Sequence, residues 1–309
     1  MSNPKFHSIT LISSPYHVGV PNVGPGAGPA YLLSRGLVTS LKSLGLPLHE
    51  LEIEAPDPDQ FEGEIGRSFE VLRRTARLVA QARRDASFPI ILAGNCTSAV
   101  GVAAGLCAAS SETTEIGCVW FDAHDDFNTP DTVMSGYFDS MAIAMLAGQC
   151  WRGLLATVAG HRPLDLGRLI HVGMRDVTEV ERKRVLEARF DVIWGCRTEV
   201  ETKADFVEGL ARALWRKELG PTMVHLDLDC LDSSLGKVNK FASPGGLFEE
   251  DIYECLEKTV TLAEPQALTV ASFDPSCDEK GAERIAEVAI AAVSKFAAAL
   301  LTAGMLSQR

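Results

Sequence analysis

Short apolar runs alternate along this chain with stretches in which apolar residues recur at helical spacing. Ser8-Ile-Thr-Leu-Ile-Ser13 reads as a strand, a Gly/Pro-rich loop follows from Gly19 to Pro29, and a helix is expected from about Ala30 to Leu44. A second strand covers roughly Pro47 to Ile53. After an acidic loop, Glu54 to Glu64, a long amphipathic helix runs from Gly66 to Ala86 with several arginines on its wet face. Pro89-Ile-Ile-Leu-Ala93 is a buried strand ending in Gly94-Asn-Cys96, and a helix of small residues follows, Ser98 to Ala109. Further strands are expected near 116–121, 168–173, 190–194, 222–228 and 267–273. No internal repeat, low-complexity tract or linker marks a boundary, so residues 1–309 are expected to form a single domain. The alternation implies an α/β fold, one doubly wound, mainly parallel sheet flanked by helices on both faces. In such folds ligands bind beyond the carboxyl ends of the strands.

Two acidic segments lie at such ends. Ile116-Gly-Cys-Val-Trp-Phe121 runs into Asp122-Ala-His124-Asp-Asp126-Phe-Asn128, and Met223-Val runs into His225-Leu-Asp227-Leu-Asp229-Cys-Leu-Asp232. Alternate residues of a strand share a face, so Asp122, His124 and Asp126 are expected to converge, as are Asp227 and Asp229. Several carboxylates cannot share an apolar crevice without a compensating cation. This many oxygen donors points to two divalent metal ions.

Composition narrows the partners. A net charge of -12 and a pI near 5.1 argue against nucleic acid or an anionic membrane. The eight cysteines are scattered, mostly in apolar surroundings, which is the usage of reduced thiols. The first residues show no apolar signal-peptide core. Val288 to Leu306 is nearly all apolar, but Ala dominates it and Ser294 and Lys295 interrupt it, so it reads as a helix packed on the sheet. A cytoplasmic protein acting on a small molecule is the expectation.

The motifs resemble those of the arginase/agmatinase (ureohydrolase) family. They are Asp-Ala-His-x-Asp-x-Asn-Thr-Pro at 122–130, Ser135-Gly136, Gly173-Met-Arg175-Asp176, the Asp-x-Asp-x-x-Asp run ending at Asp232, Ser243-Pro-Gly-Gly-Leu247, and Gly26-Ala-Gly-Pro29. The resemblance covers nearly the whole chain in order. It implies a hydroxide bridging two manganese ions, attack on a guanidinium carbon with release of urea, and a homo-oligomer. Carried over, Asp122 and Asp227 would bridge the metals, His124 and Asp229 would complete one shell, and Asp126 would ligate the other ion and face the hydroxide. Asn128 and Ser135 match positions that hold a substrate α-carboxylate, and Glu181 one near the α-amino group.

Four positions depart from the pattern. The first metal motif reads Ala93-Gly-Asn-Cys-Thr97, with Cys96 in place of a His ligand. Asp139 stands for the His after the Ser-Gly pair, Thr178 for an α-amino-binding Asp, and Ser272 for the late Glu that docks the guanidinium. The Cys-for-His exchange and the Asp-Phe-Asn-Thr-Pro-x-Thr-x-x-x-Gly-Tyr run resemble the hydroxyarginine hydrolase of D-cycloserine biosynthesis, whereas the loss of the late Glu does not. Cys96 reads either as a thiolate ligand or as a packing residue. Asp139 reads as a general acid/base or as a helix-start carboxylate, and Asp274 as a replacement dock or a turn Asp before Pro275. His225 reads as a core or ligand-supporting histidine. Glu249-Glu-Asp251 is an acidic helix start.

Overall fold

Each predicted strand is present in the computed structural model, which describes residues 5–110, 115–196 and 205–307. The main-sheet strands are β1 (Ser8–Ser14), β2 (Leu48–Glu52), β3 (Ser87–Ala93), β4 (Gly117–Phe121), β5 (Leu169–Val172), β6 (Asp191–Ile193), β7 (Pro221–Asp227) and β8 (Glu264–Ala271). All pair in parallel, in the order β2-β1-β3-β8-β7-β4-β5-β6. Side-chain alternation divides the central strands between two apolar layers. Ile90, Val119, Val224 and Leu268 face helices that include Glu249–Leu262 and Ala282–Thr302. Ile91, Trp120, Met223 and Ala267 face helices that include Glu64–Arg84 and Ser98–Ala109.

The apolar C-terminal segment lies within Ala282–Thr302, a helix long and apolar enough to cross a membrane by length and composition. Its apolar stripe is spent on the sheet layer, where Phe296 lies 5.9 Å from the Phe88 ring of β3. The single helix expected over Ala30 to Leu44 is instead two, Gly28–Ser34 and Leu37–Lys42. Gly36 between them sits at φ 101°, a left-handed conformation that ends the first helix and turns the second. The eight cysteines are all free.

The carboxyl ends of β3, β8, β7 and β4 are neighbours at the middle of the sheet. The Gly24–Ala27 turn closes against the end of β3. A Cβ on Gly94 would stand 2.3 Å from the Tyr16 carbonyl oxygen and 2.7 Å from Gly26 Cα, so the two glycines permit the contact.

Candidate metal centre

Convergence of the acidic residues comes from turns, not from strand alternation as the sequence led us to expect. β4 stops at Phe121, and Asp122 through Asp126 lie in irregular backbone, with Asp126 at φ 44°. β7 stops at Asp227, and Asp229 sits in a short 3₁₀ turn, Leu228–Cys230, which the Asp227 carboxylate caps by accepting the Asp229 N–H at 2.8 Å. Leaving the strand lets successive acids turn toward one point, where an extended chain would carry them away from it.

The result is two overlapping groups of donor atoms. Those of Cys96, Asp122 and Asp227 lie within 4.8 Å of one another, and so do those of Asp122, His124 and Asp229. Asp122 belongs to both. It accepts the Trp120 indole N–H at 2.9 Å and the His124 backbone N–H at 2.7 Å. His124 Nδ1 lies 3.3 Å from Asp122 and 3.4 Å from Asp229, and its Nε2 lies 3.6 Å from Asp176 at the end of β5. Asp229 accepts from the Ala123 N–H at 3.2 Å and from Asn239 Nδ2 at 3.0 Å. Asp126 is buried beside them, and its Oδ2 has no hydrogen-bond partner among the described residues.

Electrostatics shows what this cluster lacks. Burial, then repulsion from Asp229, pushes Asp122 up to about 6. Burial and neighbouring acids push Asp126 and Asp227 well above the carboxylate range. Burial opposes the charged form of His124, but Asp229, Asp122 and Asp176 outweigh it and raise the imidazole well above its usual value. Burial also acts against ionisation of Asp229, and there His124 and the Asn239 and Ala123 bonds win, holding it low. Four buried carboxylates thus share one histidine as their cation. The orphaned Asp126 oxygen and the all-oxygen, nitrogen and sulfur donor set fit two divalent ions.

Cys96 lies in the same cluster. Its thiol donates to Asp227 Oδ2 at 2.8 Å and touches Ser272 Oγ at 3.2 Å. Burial, then Asp227 and the other acids, holds that thiol well above its ordinary value. Asp139 accepts from the Cys96 N–H at 3.0 Å, the Thr97 N–H at 2.8 Å and the Thr97 hydroxyl at 2.8 Å. These bonds make it a clamp on the turn that presents Cys96. Ser272 is buried at φ 65°, and its carbonyl accepts from Asn239 at 3.1 Å. Asp274 accepts the Ser276 N–H at 3.0 Å and its hydroxyl at 2.6 Å, closing its own turn.

The remaining predicted residues divide. Asn128, Thr178 and Glu181 meet one another through hydrogen bonds. Thr178 caps the helix Glu179–Ala188 in a reciprocal box with Glu181. Glu181 Oε2 accepts from the Thr178 N–H and hydroxyl, both at 2.8 Å, and its Oε1 accepts from Asn128 Nδ2 at 2.9 Å. Asn128 Oδ1 accepts from Arg184 at 2.8 Å and from the Thr132 hydroxyl at 3.1 Å. Ser135 is exposed, and its hydroxyl accepts the Tyr137 N–H at 3.2 Å.

Several residues of the site went unnoticed in the sequence. Asn239 is bonded to Asp229, and Trp120 holds Asp122 while stacking on His225 at 3.8 Å. His225 is fully buried, and burial brings it down to about 3, so it is a neutral packing partner behind the site. Tyr137, Lys240 and Phe241 lie together beside His124. Trp120 had a signal, since it stands two residues before Asp122 on the same strand course. Those three residues lie in loops with no periodicity to mark them.

Comparison with known proteins agrees with this geometry. The arginase family model matches residues 7–299. The chain belongs to the arginase family. Members of this family are hydrolases of C–N bonds outside peptides, and this chain is one of that type. An arginase of Eremothecium gossypii is 27% identical over 285 residues, spanning 86% of this chain and 69% of that protein. An arginase of Bacillus caldovelox is 26% identical over 295 residues, 92% of this chain and 95% of its own. Among solved structures, Bacillus subtilis arginase superposes with a TM-score of 0.81 at 21% identity, over 94% of this chain and 98% of that one. The proclavaminate amidino hydrolase of Streptomyces clavuligerus superposes with a TM-score of 0.67 at 17% identity, over 96% and 94%.

Proposed function

We propose that this arginase-family chain is a two-metal ureohydrolase, with manganese as the ion, that cleaves a C–N bond of a small guanidino, hydroxyguanidino or amidino compound. The observation that carries the reading is the pair of donor groups sharing Asp122, with the unpartnered Asp126 oxygen beside them. Two divalent ions held there supply charge balance, Lewis acidity and activation of water. The chain's own residues do the rest. Asp122, common to both groups, would be the shared ligand, the family resemblance gives Asp227 the same part, and Trp120 and Cys96 bond one oxygen of each. Asp126 offers a buried oxygen that could take a proton from the attacking water and return it to the leaving nitrogen. Asp139 keeps the Cys96 turn in place.

Cys96 and Ser272 set this chain apart from the arginase pattern. As a ligand, thiolate donates more charge than imidazole, so it weakens polarisation of water and favours a substrate with an easier leaving group. The fold neighbour named as an amidino hydrolase of proclavaminate agrees with a modified substrate. A second reading, different chemistry on the same metal platform, draws on Ser272, whose hydroxyl touches Cys96 and brings no carboxylate to dock a guanidinium. Metal analysis of the purified protein, with urea release from arginine, hydroxyarginine, agmatine and guanidinobutyrate, tests both. Two ions per chain and urea from one compound support the ureohydrolase. Two ions without urea from any compound favour the second reading, and less than one tightly held ion under metal-replete conditions sinks both.

A further inference from the structure

The part of the site that would read the far end of a substrate shows an asymmetry. On the Asn128 side, the polar groups bond chiefly to one another. The Asn128 amide gives its N–H to Glu181 and takes bonds from Arg184 and Thr132, while Glu181 spends its other oxygen on Thr178. Each is thus engaged within the chain, Glu181 through both carboxylate oxygens and Asn128 through its carbonyl and one of its two amide N–H groups. Asp176 lies against His124, and Asp274 is closed on Ser276.

The opposite wall is built otherwise. Asn239, which holds Asp229, is followed directly by Lys240 and Phe241. The Phe241 ring meets His124 edge-on at 5.9 Å and Tyr137 at 5.7 Å, and Tyr137 in turn meets His17 at 5.8 Å. Lys240 Nζ lies 4.8 Å from the Phe241 ring centre and 5.7 Å from that of Tyr137. Among the described residues it forms no ion pair. A cation without a carboxylate therefore stands over an aromatic wall that runs in direct contacts from the metal-site histidine. Its anchoring through Asn239 fixes the backbone at that point.

We propose that Lys240 reads the distal end of the substrate, and that this end carries a carboxylate and no ammonium. The Tyr137 and Phe241 rings flank the aliphatic stem, and Lys240 takes the carboxylate in a charge-assisted pair. A second cation at the distal end would meet Lys240 with like charge. Lys240 is thus a specificity-determining residue. The inference rests on the ureohydrolase reading for the substrate's reacting end, and binding can be measured apart from turnover.

The experiment is calorimetric titration of the manganese-loaded protein and of its Lys240→Met variant with 4-guanidinobutyrate, agmatine and arginine, with urea release followed separately. The expected result is that wild-type protein binds 4-guanidinobutyrate at least about tenfold more tightly than agmatine or arginine. Lys240→Met should remove that preference by weakening 4-guanidinobutyrate alone, while agmatine holds or improves. In turnover, KM for the carboxylate compound should rise with little change in kcat. Equal weakening of all three ligands would mean that Lys240 only supports the loop, and tighter binding of agmatine or arginine by the wild type would overturn the proposal. Selective binding without urea release would leave Lys240 as assigned and count against the ureohydrolase reading.

Discussion

Two acidic networks lie side by side at the carboxyl end of the sheet, and they solve opposite problems. Around Asp122, Asp126, Asp227 and Asp229, buried carboxylates outnumber their partners, and one oxygen of Asp126 has none among the described residues. Around Thr178 and Glu181, both carboxylate oxygens of the acid are bonded within the chain, to Asn128 and to the Thr178 N–H and hydroxyl. Both contain acids that a motif match would call functional. Satisfaction separates them, because a network short of positive charge asks for a cation and a closed one stabilises a helix end.

The comparison breaks most visibly at the shared ligand. Asp122→Asn and Asp227→Asn should each lower turnover by roughly a thousandfold or more, since each removes a central anion and the charge that balances two dications. Near-normal urea release with full metal content in either variant would show that the wrong acids carry the site.

Metal removal gives the next effect, with a defined sign in pH. Asp122 is raised from 3.8 to about 6 by burial and Asp229, and Asp126 and Asp227 are raised further. An acid whose folded pKa is raised contributes stability below its unfolded value and loses it as pH rises through the folded one. Metal-free protein should therefore lose stability from about pH 4 upward, through pH 6 and beyond. Manganese at a hundredfold excess over its Kd should raise Tm by about 5 °C or more at pH 8 and by less at pH 5. Equal shifts at both pH values would mean that these acids do not titrate with the site.

Cys96→His exchanges a thiol already bonded to Asp227 for an imidazole. Metal affinity at the first site should rise on the order of tenfold, and the ratio of arginine to hydroxyarginine cleavage should rise with it. Specificity constants at matched metal occupancy decide the matter, and an unchanged ratio would mark Cys96 as packing.

The smallest effects contrast the two networks directly in urea unfolding of metal-free protein at pH 8. Asp126→Asn should gain about 1 kcal/mol by removing an uncompensated buried charge. Glu181→Ala should lose about 1 kcal/mol by opening the capping box. Matching signs would remove the distinction.

Much of this was legible in the chain, for physical reasons. Parallel strands buried on both faces are continuous apolar runs, so all eight could be placed, and the carboxyl-end rule then located the acids. The mode of convergence was misjudged, because period-2 reasoning ended where β4 and β7 end, and Asp126 at φ 44° belongs to no period. Gly36 inside an apolar helical stretch was a break signal that went unused. So was the Thr178-x-x-Glu181 spacing, which spells a capping box before any substrate role. Lys240 and Phe241 had no local signature, since their significance arises only when Asn239 reaches Asp229 across the fold.

Arg175 adds a property of another kind. Its buried guanidinium gives its N–H groups to the carbonyl oxygens of Gly173, Asp229, Cys230, Leu231, Ser243 and Pro244, and among the described residues to no carboxylate. Carbonyls neither titrate nor bind protons in competition, so this brace on the Asp229 loop holds whether or not a dication sits in front of it. The candidate ligand set is therefore held in shape by bonds within the chain. On the two-metal reading, reloading of stripped protein should need no refolding of the loop and should be reversible over repeated cycles of chelation.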